Sequence, residues 1–468
     1  MSISDATKTT GSRMPAMFCF LLLSAMNIAL AYPGVMTRDS FRQFGEARSG
    51  LLSDWHPPIM AWLWRQTMPL FDSGAQFLIL HCLLYWGAIV LIAHILHVHR
   101  GGKWGLGMLL VGLLPPFVVM TMFVWKDTGM AVALLAAFAL ILHGKLSARR
   151  HVPTMIAAGV LLAYAVLVRA NGIFAAAPLL VWMLSSIRTR PWRLVLACVV
   201  LIPVGIGMSA IVNHQVLNAR SSKAYNSIKV YDVAGVAWIS RDVSAYPVRP
   251  PLALIDRCYS KEQWDWIGRG VCGDLLTRRL KGIGPWVRSV TAHPLAYAGH
   301  RLLHFNEEMF LWVPYTAFRY RDTGGDPLAG VVEQPPLEDG IIAAHGRLAS
   351  FPLFAPALYV VLACGMLAAG LRRWPSATPF TRAGIALLVA SLLYAGGFLI
   401  IGVANMWRYQ FFPEIGALAG GLLIAADQDY RRGLPAIERA TLAAGAIVLT
   451  VATVARFVLV APATRFVA

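Results

Sequence analysis

The chain has 468 residues, of which 57% are hydrophobic and only 14% charged. A soluble domain carries roughly 25% charged residues, so the composition excludes a fully water-facing surface. The formal charge of +18 would suit nucleic acid, but the basic residues fall in short segments between alternate pairs of apolar runs, as the positive-inside rule requires, and no nucleic-acid partner is expected.

Apolar runs long enough to cross a hydrocarbon core of about 30 Å recur from end to end. The expected fold is an all-α polytopic membrane protein with about eleven transmembrane helices, at approximately 15–33, 76–97, 104–123, 128–143, 153–168, 173–187, 194–213, 351–370, 382–402, 411–426 and 440–460. Lys8 and Arg13 precede the first run, and Arg100 and Lys103 follow the second. Lys145, Arg149 and Arg150 follow the fourth, and Arg188, Arg190 and Arg193 the sixth. Arg372, Arg373 and Arg382, then Arg431, Arg432 and Arg439, continue the alternation. It puts the N-terminus in the cytoplasm and the C-terminus outside. Ala29-Leu30-Ala31 has the look of a signal-peptide cleavage site, but removing the first run would upset the charge alternation.

The first outer loop, 34–73, carries Trp55, Trp62 and Trp64, a residue type favoured at the membrane interface. Ser40 through Gln43 matches a capping box, which starts a helix near Ser40. Phe41, Phe44 and Arg48 then share a face, expected to turn toward lipid. Pro57-Pro58 extends the Asp54-Trp55-His56 stretch, with a second helix after Pro58. Both helices are expected on the membrane surface.

A long outer loop, 214–350, is expected to be mainly helical, with an amphipathic stretch near Leu302 to Phe318 in which Glu307 and Glu308 form a solvated face. The chain thus divides into an N-terminal membrane module, 1–213, the outer loop and a C-terminal membrane module, 351–468. Cys19, Cys82, Cys198 and Cys364 fall in apolar spans and read as packing residues. Cys258 and Cys272 both lie in the outer loop, where an oxidising compartment would allow a disulfide.

Under this topology, polar groups collect at the outer ends of different spans, where ionisable side chains at membrane depth suggest a functional cavity. They are Asp39, Glu46, Asp54 and His56; Lys126-Asp127; Arg169-Ala170-Asn171-Gly172; and Asn405 through Tyr409. Each has a plainer reading. Asp39 could cap a helix, Lys126-Asp127 could be a local ion pair, Arg169 could snorkel, and Arg408 beside Trp407 could anchor the interface. His56 could be a hydrogen-bonded loop residue, and Asn171-Gly172 a tight turn.

The motifs also resemble the GT-C superfamily of membrane glycosyltransferases, in a poorly characterised bacterial branch. Asp39-Ser40 with Gln43, then Asp54 through Pro58, is similar to its first periplasmic loop. Trp125-Lys126-Asp127, Arg169 through Gly172 with Pro178, and Arg408-Tyr409 with Pro413 resemble later landmarks. The likeness covers the membrane portion to about Ala426 but not the long outer loop. It implies a multi-pass protein of the bacterial inner membrane with a periplasmic site. That site would transfer a sugar from a polyprenyl-phosphate donor to a glycan, lipid or protein acceptor of the cell envelope. Many members carry an acidic pair in the first loop, whereas here Asp39 is followed by Ser40.

Phosphate is already a good leaving group, its second pKa being about 6, so no general acid is needed at the departing oxygen. One carboxylate must take the acceptor's proton, and cations must hold the phosphate. Asp39 is the candidate base, which implies inversion. Lys126, Arg169 and Arg408 are candidates for the phosphate. Gln43, Asp54, His56, Asp127, Asn171 and Tyr409 are candidates for substrate contact. No cofactor is required, no metal ligand set is evident, and a divalent cation is left open. The rival readings are a lipid-linked glycan flippase or transporter, which would favour mid-membrane charges and an internal repeat, and an O-antigen ligase or polymerase, which would favour charges in the large loop.

Overall fold

The computed structural model describes residues 3–147, 152–185, 190–264, 267–268, 270–278, 280–314, 329–330, 332–428 and 433–459. Among the described residues the secondary structure is helical, with three isolated backbone bridges. Arg149, Arg150, Arg188, Arg431 and Arg432 of the charge alternation, and Phe318 at the end of the amphipathic stretch, lie outside the described residues.

The first span is α1 (Ile3–Ala31), and the first outer loop holds α2 (Arg38–Ser49) and α3 (Ile59–Thr67). Then come α4 (Ala75–Arg100), α5 (Gly102–Gly112), α6 (Pro115–Thr121), α7 (Lys126–Leu146), α8 (Val152–Val168), α9 (Ile173–Leu184) and α10 (Pro191–Ile211). The outer unit contains α11 (Asn226–Ser240), α12 (Leu252–Cys258), the single turn α13 (Gly270–Cys272), α14 (Gly284–Ala292), α15 (Pro294–Glu308) and α16 (Glu338–Ser350). The chain then returns through α17 (Pro356–Leu371), α18 (Pro379–Ile401), α19 (Phe411–Ala426) and α20 (Ala436–Val458).

Each of the eleven expected apolar stretches is helical, ten holding one of these helices and 104–123 holding two. Among the described residues six are long and apolar enough to cross a membrane alone, and α5 and α6 reach that length and apolarity only when taken together. The shorter apolar helices are the Pro15–Ala31 part of α1, the α8 and α9 segments, and α17. The expected unbroken third span is corrected: α5 and α6 meet at a 56° bend. Pro115 and Pro116 start α6, and proline both lacks the amide and disfavours helix in the residue before it. The two membrane modules interlock, since α19 packs on α5 and α7, and α18 on α9.

Two expectations for the first outer loop also change. Thr37, not Ser40, caps α2, in a reciprocal capping box whose third helical residue is Ser40. The Phe41–Phe44 face is buried rather than lipid-facing: Phe44 packs on Trp64 at 5.1 Å between ring centroids, and Arg48 lies over Phe44 and pairs with Asp72. An aromatic pair gains about 0.5–1.5 kcal/mol beyond its buried area, enough to favour an inward face.

The outer unit has its own core of Val230, Tyr231, Val233, Ile255, Tyr259 and Ile267. A disulfide joins Cys258 and Cys272. Around that core runs a polar network. Asp232 accepts from Trp286 Nε1 at 2.7 Å, pairs with Arg301 at 2.7 Å and faces His300 Nε2 at 3.2 Å. Glu307 and Glu308, expected on a solvated face, are both buried.

Candidate functional site

Asp39 is placed by a seam between the start of α2 and the turn before α7. The Val35 amide donates to Met122 O at 3.0 Å, and the Val124 amide to Val35 O at 2.9 Å. Ser40 Oγ donates to Val124 O, and Trp125 Nε1 to Thr37 Oγ1. Residues 122–125 run directly into Lys126, so the seam brings the first turn of α2 beside the first turn of α7. Asp39 is therefore not the cap of its helix. Its side chain points across the seam, partly open.

There Asp39 forms an ion pair with Arg408 and stands 3.8 Å from His56 Nε2. Lys126 Nζ donates to His56 Nδ1, which leaves the other ring nitrogen, facing Asp39, to carry the hydrogen. Asp127, fully buried, pairs with Arg169 and with Arg408 Nε at 3.2 Å. Lys126 and Asp127 are thus not each other's partners. Arg169 does not snorkel, and Arg408 is buried rather than anchoring at an interface. Both arginines are braced by rings: Arg169 lies 4.1 Å from the Tyr409 ring centroid, and Arg408 4.8 Å from that of Trp125. Such contacts contribute about 0.5–2 kcal/mol each.

Removal from water would by itself raise the Asp39 carboxyl, but neighbouring positive charge, Arg408 first, outweighs it and holds it below the usual carboxylate range. Burial, reinforced by the Lys126 ammonium, keeps His56 well below the ordinary histidine value and therefore neutral. Three cations, Lys126, Arg169 and Arg408, face two carboxylates, Asp39 and Asp127. The cluster is cationic and suited to an anion that can be gripped at two oxygens.

The other sequence candidates divide. Gln43 is buried next to the cluster and donates to the Asp39 backbone oxygen at 3.1 Å. Asn171 Oδ1 accepts from Arg169 Nε at 2.8 Å, so it orients that guanidinium. Asp54 is not brought to the cluster. It accepts from the Ser222 amide and hydroxyl and faces His214 at 3.3 Å, tying the first loop to the start of the outer unit. Among the described residues, no group of three or more His, Cys, Asp or Glu is arranged to hold a metal.

Sequence reasoning missed Glu308. It accepts from Gln410 Nε2 at 2.7 Å, two residues beyond Arg408, and lies within the field of Arg169. Burial pushes its carboxyl well above the ordinary value. The available signal was the polar series His300, Arg301, His304, Glu307 and Glu308, which recurs at helical spacing along α15.

No protein-family model matches the chain, and no curated protein matches it. Two solved structures are similar, both of an oligosaccharyltransferase from the archaeon Archaeoglobus fulgidus. One is AglB in complex with an inhibitory peptide and a dolichol-phosphate, at 12% identity and a TM-score of 0.37, covering 94% of this chain and 54% of that one. The other is tethered to an acceptor peptide by a disulfide bond, at 11% identity and a TM-score of 0.36, covering 94% and 55%. The chain therefore spans about half the length of these structures. Such TM-scores are too low for the likeness to assign an activity.

Proposed function

We propose that the protein is a GT-C-type glycosyltransferase of the bacterial inner membrane. It moves a sugar from a polyprenyl-phosphate donor to a cell-envelope acceptor at the outer face. The observation that carries this reading is the meeting of Asp39, His56, Lys126, Asp127, Arg169 and Arg408, drawn from four separate outer turns, in one cationic cluster.

In the reaction, the acceptor O–H gives its proton to Asp39, and its oxygen attacks the anomeric carbon from the face opposite the phosphate. The bond from that carbon to the phosphate oxygen breaks, and its electron pair stays on the phosphate. Lys126, Arg169 and Arg408 hold the phosphate as that charge develops. One displacement inverts the anomeric centre.

A carboxylate held below its usual range is a weak base, and Arg408 is what holds Asp39 there most strongly. A phosphate oxygen competing for Arg408 would loosen that ion pair and raise the proton affinity of Asp39. Donor binding thus prepares the base. The paired resting state guards against misplaced water, because the carboxylate is weakly basic until the donor arrives.

The test offers purified protein radiolabelled polyprenyl-phosphate sugars together with a lysate of lipid and glycan acceptors. Label should enter a new glycosidic bond with the wild type and be lost with Asp39→Asn, with the variant eluting as a folded monodisperse species. Transfer that persists in the variant, or movement of lipid-linked sugar across vesicles with no new bond, would overturn the reading.

A further inference from the structure

The outer unit contains a helix that is inside-out for a water-facing position. The buried side of α15 carries His300, Arg301, His304, Glu307 and Glu308. The outward side carries Leu295, Leu302 and Leu303, with Leu295 87% and Leu302 60% exposed. Beside them Trp238 and Ile239 of α11, with Gly299, Leu302 and Leu303, line an open groove of about 660 Å³.

The buried polar residues are well occupied. Asp232 meets Arg301 and His300, Tyr259 OH meets His300 Nδ1 at 2.8 Å, and Tyr231 OH meets His304 Nδ1 at 3.1 Å. Turning α15 over would break all of these contacts, so the leucines are committed outward. Leaving a leucine in water rather than buried forfeits about 1.5–3 kcal/mol, and in hydrocarbon that loss disappears.

We propose that the face formed by Leu302 and Leu303 lies in the hydrocarbon of the bilayer, with Trp238 at its rim, so that the outer unit is partly sunk into the outer leaflet. Continuity with the membrane belt favours lipid as the occupant. Helix α15 packs on the span α18, whose outer end exposes Ile400 to 65%. Directly after α15, Met309 O accepts from the Ala357 amide at the head of α17, and Arg456 of α20 donates to Phe310 O and Val313 O. The exit of α15 is therefore fixed at the outer ends of two spans. Trp238 at the rim suits a residue that favours the headgroup boundary. The inference concerns membrane contact and stands whether or not the chain transfers sugar.

The experiment places a nitroxide at Leu302→Cys, with Cys19, Cys82, Cys198 and Cys364 replaced and the Cys258–Cys272 disulfide kept. The protein sits in nanodiscs of phosphatidylethanolamine and phosphatidylglycerol. Val199→Cys on α10 is the lipid reference, because only 6% of that span's apolar window is buried in the protein. Arg278→Cys on the outer unit, 81% exposed, is the water reference. The label at 302 should be relaxed by oxygen and shielded from a nickel chelate, as at 199. Chelate access matching that at 278 would overturn the proposal, and so would shielding from both relaxants, which would mean a second copy or another protein covers the face. In parallel, the unsubstituted protein is irradiated with a phospholipid bearing a diazirine near the glycerol end of its acyl chain. Adducts should appear on the peptide spanning 294–305, whereas adducts confined to the spans would count against the proposal.

Discussion

The membrane bundle and the outer unit bury opposite kinds of residue. In α4, α7 and α19 the hidden faces are almost wholly apolar, and charge appears at the helix ends. In the outer unit α15 hides a histidine, arginine and carboxylate series around Asp232 and shows leucines. The same helical period serves both, so amphipathicity fixes which residues share a face but not which solvent that face meets. The two regions also divide the work at the cluster. The turns of the bundle supply Asp39, Lys126, Arg169 and Arg408. The outer unit straps the turn leading to Arg408: Arg301 donates to Gly402 O at 2.7 Å, the Trp264 amide to Val403 O, and the Asn405 amide to Glu262 O.

The largest effect is expected in the bundle. Arg408→Ala removes a guanidinium shared by Asp39 and Asp127. Transfer should fall by about a thousandfold or more. Stability should drop by about 3–5 kcal/mol, because Asp127 keeps only Arg169. Activity assay and thermal unfolding in detergent measure the two separately, and near-wild-type transfer would break the division of work.

A smaller effect is expected from the outer unit. Replacing both Cys258 and Cys272 with serine frees the segment that carries Glu262 and Trp264. Unfolding of the outer unit should become easier by about 2–4 kcal/mol, while transfer falls only about tenfold, read as a loss of kcat as the Arg408 turn loosens. Hydrogen exchange over residues 259–264 and 402–406 should rise together. A rise in the first segment alone would remove the strap from the account.

His56 should show itself in pH. Its folded pKa lies below the ordinary 6.5, so the unfolded chain takes up a proton near that pH while the folded one does not. The stability it contributes is complete above 6.5 and is lost as pH falls below it, by about 1 kcal/mol at about pH 5.5. His56→Gln should therefore lose less stability than wild type between about pH 7.5 and 5.5, by that amount. Equal losses would mean His56 is charged in the fold.

The smallest effect is expected at Asp54→Asn. Its partners are Ser222 and His214 rather than the cluster, and transfer should change by less than about threefold. A large loss of kcat would return Asp54 to the site.

The spans were legible because about twenty consecutive apolar residues have few other uses. The break at Leu114-Pro115-Pro116 was written in the sequence too, but hydropathy averages over it. Asp39, Lys126, Arg169 and Arg408 stood out as charges at the outer ends of apolar runs. Their meeting was only inferred, since pairings such as Asp39 with Arg408 join residues far apart in the chain. The cap at Thr37 was misread because Ser40 is itself a good capping residue. Asp54 lies within the same motif as His56, yet Pro57 and the seam to Arg220 send the two side chains to different partners. Glu308 was hidden by the ordinary assumption that glutamates on an outer helix face water.

The most direct test of the donor-prepared base is to measure polyprenyl-phosphate affinity and transfer together in Asp39→Asn. With its carboxylate rival removed, Arg408 should bind the phosphate more tightly, by several-fold, while transfer is lost. Weaker binding in the variant, or transfer that survives, would contradict the claim that Asp39 and the donor compete for Arg408.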